Sequence, residues 1–236
     1  MSKVLVIPDT HLKPKMFDLA DLIMAENKVD YAVQLGDNVD DFYAFEDDYR
    51  SHNARMVLFN REHPNTVWLW GNHEMSYLLD RPVTGNVYCG KTYAKLYQEN
   101  FLPKYLHLDG RVIFSHAGIF QDFLKLYDLD RITDVPTLVE EIEKLGDEKK
   151  WNDLSPIWAR HEYDALEPPK VLEDYLQVIG HTPATIIHQD DNIVSTDVFS
   201  TNWGKKIGQE QMIIVDTETR EYKTIDINYR RRFNVD

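Results

Sequence analysis

The segment Tyr31-Ala32-Val33-Gln34-Leu35 runs directly into Gly36-Asp37-Asn38-Val39-Asp40. A short apolar run that stops at a glycine and an acid reads as a strand buried on both faces, with a turn behind it that presents polar side chains. The same arrangement recurs along the chain. Val4 to Ile7 leads into Asp9-Thr10-His11, and Thr66 to Trp70 leads into Gly71-Asn72-His73-Glu74. Arg111 to Phe114 leads into Ser115-His116-Ala117-Gly118, and Val178-Ile179 into Gly180-His181-Thr182-Pro183. Between these runs, Met16 to Glu26, Asn53 to Arg61, Thr92 to Asn100 and Pro136 to Leu145 carry helical patterns. Strand alternating with helix predicts an α/β architecture. After Gly180 come short apolar runs (Thr185 to His188, Asn192 to Thr196, Met212 to Val215, Tyr222 to Ile227), which predict an antiparallel, hairpin-rich end. The segments Phe42 to Ser51 and Asp80 to Lys91 are long enough to be functional loop insertions. With neither a repeat nor a linker-like stretch, one domain over 1–236 is expected.

Composition narrows the function. The chain holds 40 acidic and 26 basic residues, a formal charge of −14. Long nucleic acid and anionic membrane surfaces call for a basic face, so neither is an expected partner. A small basic pocket for one phosphate remains compatible with that balance. A single cysteine, Cys89, excludes an internal disulfide and suits a reducing compartment. Pro8 and Asp9 cut the first apolar run too short for a signal peptide. No stretch approaches the roughly 20 apolar residues of a membrane helix. A soluble cytoplasmic protein is expected.

The strand ends collect Asp9, His11, Asp37, Asn72, His116 and His181. In α/β sheets such ends open onto a shared crevice. Oxygen and nitrogen donors without thiolate suit manganese, iron or zinc, and argue against an iron–sulfur or structural zinc site. A pair of ions roughly 3.5–4 Å apart needs a bridging carboxylate and can clamp both oxygens of a phosphoryl transfer. Each motif alone is no more than a common turn. The weight lies in all of them occurring together, each behind an apolar run.

On these motifs, Asp9-x-His11, Gly36-Asp37-x-x-Asp40, Gly71-Asn72-His73-Glu74, His116-Ala117-Gly118 and Gly180-His181-Thr182, the chain resembles the calcineurin-like metallophosphoesterases over nearly its full length. Within them it is most similar to the phosphoprotein-phosphatase branch of bacteria and phages, which includes diadenosine tetraphosphatases. The resemblance implies two mainly mixed sheets packed as a sandwich, with helices outside in four layers and the metals at one end. It implies two divalent ions, manganese first, with iron or zinc as alternatives. Asp9 and His11 would hold one ion, Asn72, His116 and His181 the other, and Asp37 would bridge them. A metal-bridging hydroxide would attack phosphorus, His73 would protonate the leaving oxygen, and Asp40 would hold that histidine protonated. Arg160, in Trp158-Ala159-Arg160, matches the family's phosphate-binding arginine, a task suited to bidentate guanidinium bonds.

Three positions depart from the pattern. Asp41-Phe42 stands where relatives carry Arg-Gly, Leu12 where glycine is common, and Pro183 where the broader superfamily has a second histidine. The missing arginine raises the expectation that Arg50, Arg55 or Lys91 replaces it; the alternative is a site that prefers a less charged phosphate. His52, His63, His107, His161 and His188 fall outside the motifs and are expected on loops or the surface. Tyr43, Phe45, Tyr49 and Tyr77 lie near site loops and could stack on a base or line a pocket, although core packing is the commoner role. The expected activity is hydrolysis of a phosphomonoester, on a phosphoprotein or a small molecule. The rivals are a nucleotide-anhydride or phosphodiester hydrolase, and an inactive scaffold, which would have lost a ligand or the acid histidine.

Overall fold

The computed structural model describes residues 2–226. Strands β1 (Lys3–Ile7), β2 (Tyr31–Gln34) and β3 (Val67–Trp68) lie side by side and parallel. Strands β4 (Leu106–Asp109), β5 (Val112–Ser115), β6 (Leu176–Ile179), β7 (His188–Asp190) and β8 (Ile193–Ser195) form a second sheet in the order β4-β5-β6-β8-β7. A small separate hairpin joins β9 (Thr201–Asn202) to β10 (Lys205–Lys206). Strands β11 (Gln211–Asp216) and β12 (Tyr222–Asp226) then return to the first sheet, which reads β12-β11-β1-β2-β3. Both sheets are mixed.

Period-two alternation with cover on both faces explains why the central strands β1, β2, β5 and β6 are mainly apolar. Val4, Val6, Val33 and Leu35 of the first sheet meet Val112, Phe114, Leu176, Val178 and Val194 of the second in one cluster. The intervening Leu5, Ile7, Ala32 and Ile113 face the helical side. There they pack among residues of α1 (Lys15–Glu26), α2 (Glu46–Glu62), α3 (Asn72–Leu78), α4 (Gly90–Phe101), α5 (Gln121–Leu126) and α6 (Val135–Lys144). Helix α1, for instance, buries Met16, Phe17, Leu19, Ala20 and Ile23, the stripe expected of a helix with one face on a core. Each large side chain so buried contributes roughly 1.5–3 kcal/mol. The fold is thus an α/β sandwich of two mixed sheets flanked by helices, as the sequence pattern and the resemblance led one to expect.

Several local expectations need correction. Helix α2 begins at Glu46, not Asn53, so much of the supposed loop from Phe42 to Ser51 is helical. Its first turn carries Glu46, Asp47 and Asp48, whose charges favour a helix N-terminus. Thr185 to His188 is not a strand; the Thr185 carbonyl accepts from the Gln209 amide, and pairing begins only at His188. Strand β4 was missed because His107 and Asp109 break its apolar character, and both bond to the Tyr31 hydroxyl. Helices α3 and α5 were missed as well, being short. Ile227, the end of the last expected strand, lies outside the described residues.

Candidate metal centre

The turns after β1, β2 and β3 are locked together by backbone contacts. The Thr10 and His11 amides donate to the Asp37 carbonyl at 3.1 and 2.9 Å. Glu74, on the first turn of α3, accepts four amides. Its Oε2 takes Asp37 and Gly71 at 3.0 and 3.1 Å, and its Oε1 takes Asn38 and Val39 at 2.6 and 3.0 Å. Burial pushes this carboxyl up to about 7, with Asp37 adding to the rise and the amides of Val39 and Asn38 opposing it. Gly71 is required here, since a Cβ would sit 2.1 Å from Asp37 Oδ1. That oxygen accepts from the His73 amide at 2.9 Å. Asp37 itself has a φ of 51°, and its other oxygen points into the space between the turns.

Three imidazoles converge on that space in a common manner. His11 Nδ1 bonds the Asp40 carbonyl at 2.9 Å, His116 Nδ1 the Leu35 carbonyl at 2.9 Å, and His181 Nε2 the Trp158 carbonyl at 3.1 Å. A carbonyl only accepts, so each of these nitrogens carries the proton and leaves its partner nitrogen as a lone pair in the neutral ring. Those free nitrogens meet other acceptors. His116 Nε2 lies 3.0 Å from Asn72 Oδ1 and 3.4 Å from Asp37 Oδ2, and His11 Nε2 lies 3.8 Å from the same Asp37 oxygen. The donors of Asp37, His116 and His181 fall within 4.8 Å of one another, as do those of His11, Asp37 and His73. Asp37 belongs to both sets.

Asp9 belongs to neither set. Its Oδ2 accepts the His181 amide at 3.0 Å, while Oδ1 is buried without a partner among the described residues. A side chain at position 180 would put Cβ 2.0 Å from that oxygen, which explains Gly180. Burial, then the neighbouring Asp197, pushes the Asp9 carboxyl well above the usual range. Asp197 is raised by burial in turn, and Ser200 holds it through its amide and hydroxyl at 3.2 and 2.8 Å. Sequence reading passed over Asp197, although it follows β8 just as the other acids follow their strands. Asp9 Oδ1 is thus a buried lone pair without a positive partner among the described residues. A divalent cation supplies one, and histidines with the second ring nitrogen on a carbonyl are the usual metal ligands. The donor set fits a metal centre.

The sequence matches the calcineurin-like phosphoesterase family over residues 2–205. The chain belongs to that family. It is a metal-dependent hydrolase of phosphate esters. Among solved structures it is similar to a cold-active protein-tyrosine phosphatase of the psychrophile Shewanella sp., with 17% identity and a TM-score of 0.60 over 96% of this chain and 81% of that one. It is also similar to a hypothetical protein from Pyrococcus horikoshii OT3, with 12% identity and a TM-score of 0.50 over 97% and 89% of the two chains. At these identities the likeness concerns the fold. No curated protein matches the sequence.

In this phosphoesterase His73 differs from the other three histidines. Its Nδ1 bonds a carboxylate, Asp40 Oδ2, at 2.9 Å, and its Nε2 faces the shared space 4.0 Å from Asp37 Oδ2. Asp40 is saturated. Oδ2 also accepts Asn86 Nδ2 at 2.7 Å, and Oδ1 accepts the Tyr49 and Tyr77 hydroxyls at 2.5 and 2.6 Å. Burial and then Asp40 push both phenols up, so they stay protonated donors. Tyr49 and Tyr77 therefore brace a carboxylate rather than stack on a ligand. Burial alone would lower the His73 pKa, but Asp37, the Asp40 bond and the charges of Asp40 and Glu74 push it up to about 9. His116 is likewise held up at about 9 against burial, by Asp37 and then Asp9. His181 is pushed well down by burial, by His116 and by Arg160.

A cavity of about 220 Å³ opens over these groups, and His11, Asp37, Asn72, His73, Arg160 and His181 line it. Among the described residues no carboxylate pairs with Arg160. Asp41 also lines the cavity but is fully engaged: Oδ1 accepts the Phe42 amide at 2.8 Å and the Thr201 hydroxyl at 2.9 Å, and Oδ2 pairs with Lys13 at 3.2 Å. The substitute cations expected from sequence are elsewhere. Arg50 pairs with Glu46 and Asp47, Arg55 with Asp18 and Asp21, and Lys91 with Asp80. Leu12, in place of the usual glycine, has a φ of 58°, and its side chain packs with Val39, Tyr49, Tyr77 and Ala94. Two of the remaining histidines are buried, contrary to expectation. His52 bonds the Thr10 hydroxyl at 3.0 Å, and His161 stacks on Phe120.

Proposed function

We propose that the protein is a dinuclear phosphomonoesterase. The observation that carries this reading is the set of three imidazoles, each with one nitrogen on a backbone carbonyl and a ring nitrogen within 4.8 Å of Asp37. Asp9, His11 and Asp37 would hold one divalent ion, and Asp37, Asn72, His116 and His181 the second. Manganese is the first choice, with iron or zinc as alternatives, because imidazole and carboxylate together suit borderline ions. Bound there, the ions would supply Lewis acidity to the phosphoryl oxygens and acidify water at neutral pH.

The chain's own groups do the rest. Arg160, which lines the cavity without a carboxylate partner among the described residues, holds a non-bridging phosphate oxygen. His73 presents Nε2–H to the leaving oxygen and passes its proton there as the P–O bond breaks. Asp40 fixes the ring through Nδ1 and favours the protonated form, and is itself held by Tyr49, Tyr77 and Asn86. The test is metal analysis together with a panel of monoesters, diesters, dinucleoside polyphosphates and a phosphopeptide on manganese-loaded enzyme. Two metals per chain and preference for monoesters are expected. One metal per chain, or preference for diesters or anhydrides, overturns the reading.

A further inference from the structure

At the mouth of the cavity three aromatic rings meet from two separate segments. The Phe42 ring lies against Trp203, with centroids 4.6 Å apart and planes 27° from parallel. Tyr43 approaches the same indole at 5.6 Å and 57°. Phe42 lines the cavity together with His73 and Arg160, so the cluster continues the catalytic pocket and is not a detached patch. Trp203, in the turn of the β9–β10 hairpin, is 62% exposed, and Tyr43 is 71% exposed.

Two further features make the cluster unusual. Tyr43 and Trp203 both have left-handed backbone, with φ of 66° and 50°. Bulky residues adopt that region at a cost, and such strain gathers where a ligand is handled. Burial does not offset the cost here, because both rings remain largely in water. The two segments are also tied across the pocket edge: Asp41, next to Phe42, accepts the hydroxyl of Thr201, which precedes the Trp203 turn. Asp41 is held from its other side by Lys13. The tie fixes the Phe42 segment and the Trp203 turn relative to each other at the pocket edge.

We infer that Phe42, Tyr43 and Trp203 form a stacking subsite that selects phosphate esters whose leaving group carries a planar ring. The inference rests on the phosphomonoesterase reading. With the phosphoryl group on Arg160 and the leaving oxygen at His73, the rest of the leaving group emerges at Phe42, where an aromatic face is on offer. Stacking does not depend on a particular hydrogen-bond pattern, so a nucleobase and a phenol ring present the same chemistry.

The test uses the metal-loaded full chain and compares adenosine monophosphate and a phosphotyrosine peptide with glycerol phosphate and a phosphoserine peptide. For Trp203→Ala, the ratio of kcat/KM on ring-bearing to alkyl esters, relative to wild type, should fall roughly five- to tenfold, the effect of one lost aromatic contact. Taking the ratio against wild type cancels intrinsic leaving-group reactivity. The wild-type preference between the nucleotide and the peptide then names the source of the ring. As a second readout, the fluorescence difference between wild type and Trp203→Leu isolates the Trp203 signal. Adenosine monophosphate should quench that signal and glycerol phosphate should not. An unchanged ratio in Trp203→Ala, or equal quenching by both ligands, overturns the subsite. Failure of the wild type to cleave any monoester would instead overturn the parent reading, which keeps the two outcomes apart.

Discussion

On the floor of the pocket, His11, His116 and His181 are each tethered to a backbone carbonyl, and Asp37 sits in a turn clasped by Glu74. At the rim, the rings of Tyr43 and Trp203 stand mostly in solvent, and one hydroxyl–carboxylate bond and one ion pair tie their segments in place. The floor is held by many buried bonds among the turns behind several strands, with the three imidazole tethers spanning 23 to 81 positions. The rim is held by one bond between residues 160 positions apart and one ion pair between residues 28 apart. On the proposed reading the difference separates two tasks: chemistry that tolerates little displacement, and recognition of the leaving group.

The largest expected effect breaks the floor. Asp37→Ala removes the carboxylate that both donor sets share, so metal analysis should find the chain unable to hold two ions and turnover should drop to background. If that variant still carries two metals per chain, Asp37 does not bridge. Next comes His73→Asn, which should retain both metals yet lose about 10²–10⁴-fold in kcat on alkyl esters. The loss should be smaller on nitrophenyl esters, whose leaving group needs little protonation. Equal losses on the two ester types would remove His73 from the role of acid. Glu74→Gln replaces one acceptor oxygen by an NH₂ facing two amide donors. A destabilisation of about 3 kcal/mol should follow, visible as a Tm lower by roughly 6–12 °C. An unchanged Tm would mean that the clasp is dispensable.

Smaller effects sharpen the contrast. Tyr49→Phe and Tyr77→Phe each remove one bond to Asp40, and each should cost roughly tenfold in kcat while metal content stays at the wild-type level, in line with other orienting partners. Metal loss in either variant would tie the tyrosines to the ions rather than to His73. Smallest of all, Thr201→Val frees the rim from Asp41 and should shift the ring-to-alkyl selectivity about twofold, only part of the worth of a hydroxyl–carboxylate bond because the rings feel its loss indirectly. A change in kcat on all substrates alike would show that this bond serves the floor instead.

How much of this was legible follows the same division. The strand ends and their donors could be read directly, because a buried parallel strand must be apolar along its length and the residues after it must turn. Asp9, His11, Asp37, Asn72, His116 and His181 all stood in such places; the structure brings His11, His116 and His181 close to Asp37, with Asn72 against His116, and leaves Asp9 outside both donor sets. Asp197 obeyed the same rule and was overlooked, since β8 is only three residues long. What could not be read was anything fixed by distant pairing. The bonds from Tyr49, Tyr77 and Asn86 to Asp40 have no sequence spacing to reveal them. Nor does Asp41 announce its partners, and the search for a replacement arginine led to three cations that are paired elsewhere. The acidic run at Glu46 to Asp48 misled for a local reason, being the start of a helix that resembles a solvated loop.

The Glu74 clasp bears on the order in which the site is assembled. It joins the turn after β2 to the turn after β3 using only protein atoms, and Glu74 follows Asp37 by 37 residues in the chain. Those turns are therefore held in register by protein groups. On the proposed reading, loading would be capture by a preformed cup instead of folding around a cation. Its rate should accordingly be set by diffusion and by shedding of the ion's hydration water, with little change in the far-ultraviolet spectrum between the empty and filled protein.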